Sequence, residues 1–132
     1  MIGLDTNVVI RYVAQDDVAQ AAVATQVFES LSESNQGHVS TVVLVEIDWV
    51  LRQAYGADRT SAAGVLQGLL ESREINLEKP DAIRRALTRV ASGADFADAL
   101  LSELGNAAGC VHTVTFDRAA ARSAGMRLLL PT

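Results

Sequence analysis

Cysteine is almost missing from this 132-residue chain: Cys110 stands alone. That excludes an intrachain disulfide and a thiolate-based zinc site, so any bound metal is expected to sit among oxygens. Proline occurs twice, aromatics make up 5%, and there is no low-complexity run. No apolar stretch approaches the ~20 residues that a membrane span needs. The N-terminus has no basic region followed by a long apolar core and a small-residue cleavage site, so a cytoplasmic protein without membrane association is expected. Positive charge is also scarce, 11 Lys and Arg against 16 Asp and Glu for a net charge of −5. Such a balance argues against a nonspecific nucleic-acid binder, which displaces counterions with a basic surface. Acids gathered around divalent cations would reverse that sign locally. A glycine-rich phosphate loop is missing. Neither His38 nor His112 adjoins a nucleophile motif, and both read as packing histidines.

What is present is 49% hydrophobic and 20% charged, the composition of a globular chain. Its length suits one domain, residues 1–132, with a core that needs no staple. Ile2 to Leu4 reads as a buried strand, and Thr6–Asn7 supplies capping chemistry for a helix through Val13. A helix is expected over 17–31, a strand over 38–40, a helix over 42–55 that Thr41 can cap, and a helix over 60–72. An edge strand at 74–77, a helix from Pro80 to Val90, and a helix over 95–108 stopped by Gly109 follow. The C-terminal part reads as a strand over 111–115, a short helix from Arg118 and a strand over 127–130. Strands separated by helices predict a three-layer α/β/α sandwich around a central parallel sheet. Reactive groups in such sheets collect beyond the carboxyl ends of the strands, where Asp5, Ser40–Thr41 and Asp117 fall.

Each acid has a plain structural reading. Asp5 and Asp117 can be helix caps, and Asp95 with Asp98 at i and i+3 resembles a capping box. Glu46 differs, because the residues three and four positions away are Val42, Val43, Trp49 and Val50. A carboxylate on such a stripe needs an ion pair, hydrogen bonds or a metal. Asp48, with Arg52 at i+4, reads as a solvated surface pair. If Asp5, Glu46, Asp98 and Asp117 share one pocket, their repulsion calls for a hard cation, Mg²⁺ or Mn²⁺. Such a site polarises a phosphoryl oxygen and activates a water, which suits phosphodiester hydrolysis.

"MIGLDTNVVIR", "STVVLVEIDWVL", "DFADALL" and "TFDR" resemble the four signature segments of PIN-domain proteins, in family order and over nearly the whole chain. More closely, they resemble the VapC toxins of bacterial toxin–antitoxin pairs. The resemblance implies a PIN fold and a Mg²⁺- or Mn²⁺-dependent endoribonuclease that leaves 5′-phosphate and 3′-hydroxyl ends. It also implies a cognate antitoxin that blocks the pocket, and a toxin homodimer. Carried over segment by segment, the metal-binding and catalytic acids are Asp5, Glu46, Asp98 and Asp117, with Asp95 auxiliary. Thr6, Asn7 and Thr115 match polar positions that orient acids or water. Arg11 and Arg118, each near a site acid in sequence, are candidates to hold the RNA backbone, although a lone arginine is more often a surface solubiliser. Two other readings stay open. One is an aspartyl-phosphate phosphotransferase or phosphatase using Asp5, weakened by Asn7 where that class commonly has a second Asp. The other is a non-catalytic binding module whose acids only cap helices.

Overall fold

A computed structural model describes residues 1–131; Thr132, the end of the expected domain, lies outside them. Strands and helices alternate as β1 (Ile2–Gly3), α1 (Thr6–Ala14), α2 (Val18–Glu29), β2 (Gly37–Val39), α3 (Thr41–Ala54), α4 (Arg59–Glu71) and β3 (Ile75–Leu77). They continue as α5 (Pro80–Ala91), α6 (Phe96–Ala107), β4 (Val114–Thr115), α7 (Arg118–Ser123) and β5 (Arg127–Leu128). All strand pairs are parallel, and together with the covering helices they make the expected α/β sandwich.

The helix starts follow the expected capping chemistry, sometimes one residue away. Ser40, not Thr41, caps α3 by accepting the Val43 amide at 3.2 Å. Thr41 instead donates from its amide and hydroxyl to Glu78 at 2.9 and 3.0 Å, tying the start of α3 to the end of β3. Asp5, not Thr6–Asn7, holds the cap position of α1, and its side chain makes no cap bond.

The sheet differs from expectation in its continuity. β1, β2 and β3 form one sheet in that order and β4 and β5 another, with no ladder joining β1 to β4 among the described residues. Ile2 and Gly3 are exposed, so only Leu4 of the expected buried strand enters the core. The expected strand over 111–115 shrinks to Val114–Thr115, while Val111 is 93% exposed. Valines and threonines fit a pleated surface only where a neighbour covers them, so their run alone overstated the strand.

Phe96, Leu100, Ile10, Leu44, Ile47, Leu66 and Ile83 are fully buried and form the centre of the core. On α6, Phe96, Ala99, Leu100 and Glu103 make the buried stripe at helical spacing. Glu103 is 5% exposed. It accepts from Arg85 Nε and Arg89 Nε, both at 2.9 Å, which fastens α6 to α5. Burial, the largest single influence, pushes its carboxyl up, but the Arg89 and Arg85 hydrogen bonds and charges outweigh it and hold the group below its ordinary value. Arg89 also lies against Gly125, whose φ is +73°; a Cβ there would meet Arg89 Nη1 at 2.8 Å. One arginine thus links α6 to the turn that follows α7.

Candidate functional site

The first turn of α6 is the organising element. Asp95 occupies its cap position, and its Oδ1 accepts the Asp98 amide at 3.1 Å. Phe96 anchors the turn in the core. Asp98 follows one turn on, beside the buried stripe. From the C-terminal unit Asp117 caps α7, with Oδ1 accepting the amides of Ala119 and Ala120 at 2.8 and 3.2 Å. Thr115 fixes that approach by accepting the Asp117 amide on its hydroxyl at 3.0 Å.

Asp95, Asp98 and Asp117 line one cavity of about 210 Å³, together with Arg59 from the start of α4. Burial pushes Asp98 above its ordinary value, and the charges of Asp95 and Asp117 add to the push, against Arg59. Asp95 goes the other way. Burial raises it, but Arg52's hydrogen bond and charge and the Asp98 amide together hold it below 3.8. The two neighbouring carboxylates are therefore shifted in opposite directions, Asp95 down because Arg52 and an amide bond it directly and Asp98 up because no such bond offsets its burial.

Several expectations need correction. Glu46 is exposed, with Val42 65% and Trp49 62% exposed on its side of α3. The core-facing stripe is Leu44, Ile47, Asp48 and Leu51. Asp48 is 3% exposed, so its pair with Arg52 is not the solvated one expected. Helix α3 is apolar on most of its circumference, so periodicity alone could not choose its inner face. The short Asp48 goes inward because Arg52 meets it, and the longer, unpaired Glu46 stays in water. Glu46 instead lines an apolar groove between α3 and α6 with Val42, Val45 and Leu101. Asp5 is exposed as well. His112 is exposed in the loop before β4 and is no packing histidine, whereas half-buried His38 bonds Asn76 Oδ1 at 2.9 Å.

Neither Asp5 nor Glu46 lines the cavity that holds Asp98 and Asp117. Thr6 is buried beside Asp5, and its Oγ1 has no hydrogen-bond partner. Asn7 and Arg11 line a separate apolar groove between α1 and α2. Arg11 is committed to Gln20 at 2.7 Å, Tyr55 at 3.2 Å and Asp16 at 3.4 Å, which ties α1 to α2 and α3. Arg118 is exposed and directly follows Asp117. Arg59 was missed. It lies far from Asp95 in sequence, and its only local signal is a cation at the start of a helix, where the macrodipole disfavours it. Its Nη1 donates to the Gly93 carbonyl at 3.0 Å, which turns it toward the loop before α6.

The acidic groups at the cavity are three carboxylates, and burial, helped by the charges of Asp95 and Asp117, raises Asp98; oxygen donors of this kind fit a hard divalent cation. Among the described residues no group of three or more His, Cys, Asp or Glu is gathered closely enough to hold an ion without rearrangement. Among the described residues no helix is long and apolar enough to cross a membrane.

The sequence model of the family described as PIN domain matches residues 2–126, which takes in all the acids discussed and every element except β5. The chain belongs to the PIN domain family, whose members are generally metal-dependent nucleases acting on nucleic acid. No curated protein matches the chain.

Proposed function

We propose that residues 1–132 form a single domain that is a Mg²⁺- or Mn²⁺-dependent endoribonuclease, the toxin of a VapC-type toxin–antitoxin pair. The observation that carries the nuclease reading is the shared cavity of Asp98 and Asp117 in a PIN chain, with Asp98 raised by its burial and its neighbours' charge. A divalent cation bound there would supply Lewis-acid polarisation of a phosphodiester oxygen and acidify a water. Asp98 and Asp117 would hold it from α6 and α7. Asp5 and Glu46, matched by their signature segments, would complete the set from the strand end and from α3. The Thr115 hydroxyl accepts the Asp117 amide, which supports reading Thr115 as a residue that orients this acid. Arg59, on the cavity wall, and Arg118, beside Asp117, supply the cations that an RNA backbone needs near so acidic a site.

The narrower assignment rests on the four segments resembling VapC toxins. With it come a cognate antitoxin that occupies the cavity and a homodimer, for which Val42, Trp49 and Leu101 offer exposed apolar surface. An arginine of the antitoxin would suit the carboxylates by bidentate hydrogen bonding.

The test is incubation of purified protein with RNA in Mg²⁺ or in chelator, followed by mapping of the fragment ends. Cleavage that requires metal and leaves 5′-phosphates is expected. Cleavage that persists in chelator, or 2′,3′-cyclic phosphate ends from attack by the RNA's own hydroxyl, would overturn the reading.

A further inference from the structure

Asp48 is a nearly fully buried acid in α3 for which the proposed reaction has no use. Its partner Arg52 places one nitrogen, Nη1, 3.4 Å from Asp48 Oδ2 and 2.8 Å from Asp95 Oδ2. Asp95 then spends its other oxygen on the Asp98 amide. A continuous line of charge-assisted contacts runs from inside α3, through one guanidinium, to the backbone of Asp98.

We propose that Asp48 and Arg52 are positioning residues that hold Asp95 as a strut, and that Asp95 thereby fixes the first turn of α6 and the place of Asp98 on the cavity wall. This rests on the reading of Asp98 as a metal ligand, and it replaces the auxiliary-ligand role for Asp95. Both oxygens of Asp95 are already engaged, one by a cation and one by an amide. With its charge neutralised by Arg52 and its other oxygen on the Asp98 amide, Asp95 has less to offer a metal and is well placed to brace its neighbour. Asp48 keeps Arg52 from swinging out to solvent, which it would otherwise do from a half-buried position on the helix surface. Partners that orient a metal's ligands typically change metal affinity by about 10–100-fold when removed.

The ligand and strut roles predict opposite signs. If Asp95 is a ligand restrained by Arg52, removing Arg52 frees it and Mn²⁺ binds more tightly. If Asp95 is a strut, removing Arg52 loosens Asp98 and Mn²⁺ binds more weakly. The experiment measures Mn²⁺ dissociation constants by electron paramagnetic resonance for wild type, Arg52→Gln, Asp95→Asn, the double variant and Asp98→Asn. It is run well below each melting temperature, with circular dichroism as the check on folding. Should Arg52→Gln fail to fold, Arg52→Lys decides, because a weaker hold on Asp95 loosens Asp98 if Asp95 is a strut and frees a donor if it is a ligand.

A loss of about tenfold in Mn²⁺ affinity is expected for Arg52→Gln and for Asp95→Asn, with the double variant no worse than either, because both cut the same line. Arg52→Lys should recover part of it. Unchanged or tighter Mn²⁺ binding in Arg52→Gln, while Asp98→Asn loses binding, overturns the strut and leaves the site reading intact. Wild-type affinity in Asp98→Asn overturns both.

Discussion

Replacing Asp98 with asparagine should move the stability of the metal-free and metal-bound protein in opposite directions. Burial and the charges of Asp95 and Asp117 raise the Asp98 carboxyl. While ionised, the group costs folding stability; the penalty fades as pH falls through the raised folded value toward the ordinary 3.8. The Asp98→Asn change removes the charge and keeps the shape. For a partly exposed charge the gain is under about 1 kcal/mol. A cation that binds only the folded wild type stabilises it by about 2.7 kcal/mol at roughly 100 times its dissociation constant. In a chain of this size about 1 kcal/mol corresponds to roughly 3–5 °C, so Mn²⁺ should raise the wild-type melting temperature by about 8–13 °C. The variant should melt slightly above wild type in chelator and gain only a small part of that rise. Thermal melts of both proteins at constant ionic strength, with chelator and with Mn²⁺, check this. If the variant melts below wild type in chelator and both gain equally from Mn²⁺, Asp98 is a structural residue and the reasoning fails.

Three further outcomes are expected. Glu103→Gln should cost about 1.5–3 kcal/mol near neutral pH by weakening two charge-assisted hydrogen bonds. Because the folded Glu103 value is depressed, wild type should lose that margin as pH falls below 4.5 and through the lowered value, while the variant's pH–stability curve stays flatter there. Gly125→Ala should cost about 1–2 kcal/mol in chemical denaturation, because an L side chain is strained at positive φ and Arg89 must shift. Arg59→Gln should raise KM for RNA severalfold with kcat little changed, whereas Arg11→Gln, which cuts the α1–α2 tie, should lower the melting temperature and leave KM alone; steady-state kinetics separate the two.

The elements were legible because their punctuation is local. Pro80 opens α5 and Gly109 follows α6 as expected, and the cap of α3 falls on Ser40, one residue before the expected Thr41. The grouping of the candidate acids was legible only in part, since Asp5 and Glu46 do not line the cavity that Asp98 and Asp117 share. Asp98 and Asp117 come to one cavity, and Thr115 supports Asp117. The inner face of α3 was misread because Val42 and Trp49 are apolar on its outer side and Val45 and Val50 flank the core between them, so no polar face marks the side in water. Asp48 turns inward on account of Arg52 and Asp95, and Asp95 comes from a helix start much further along the chain. Arg59 and Glu103 escaped for the same reason. Each is explained by partners from another part of the chain, and no spacing rule within one helix reveals them. The strand over 111–115 was overread because β-branched residues signal a surface that can be covered, and the neighbour that would cover Val111 is absent among the described residues.

The most direct test is a crystal structure of the protein soaked in Mn²⁺, with the ion located by its anomalous scattering. A peak is expected in the cavity between Asp98 and Asp117, with the carboxylates of Asp5 and Glu46 drawn toward it and Asp95 still bonded to Arg52. An ion held by Asp95 with Arg52 released would contradict the strut, and no ion at Asp98 and Asp117 would contradict the metal-dependent nuclease itself.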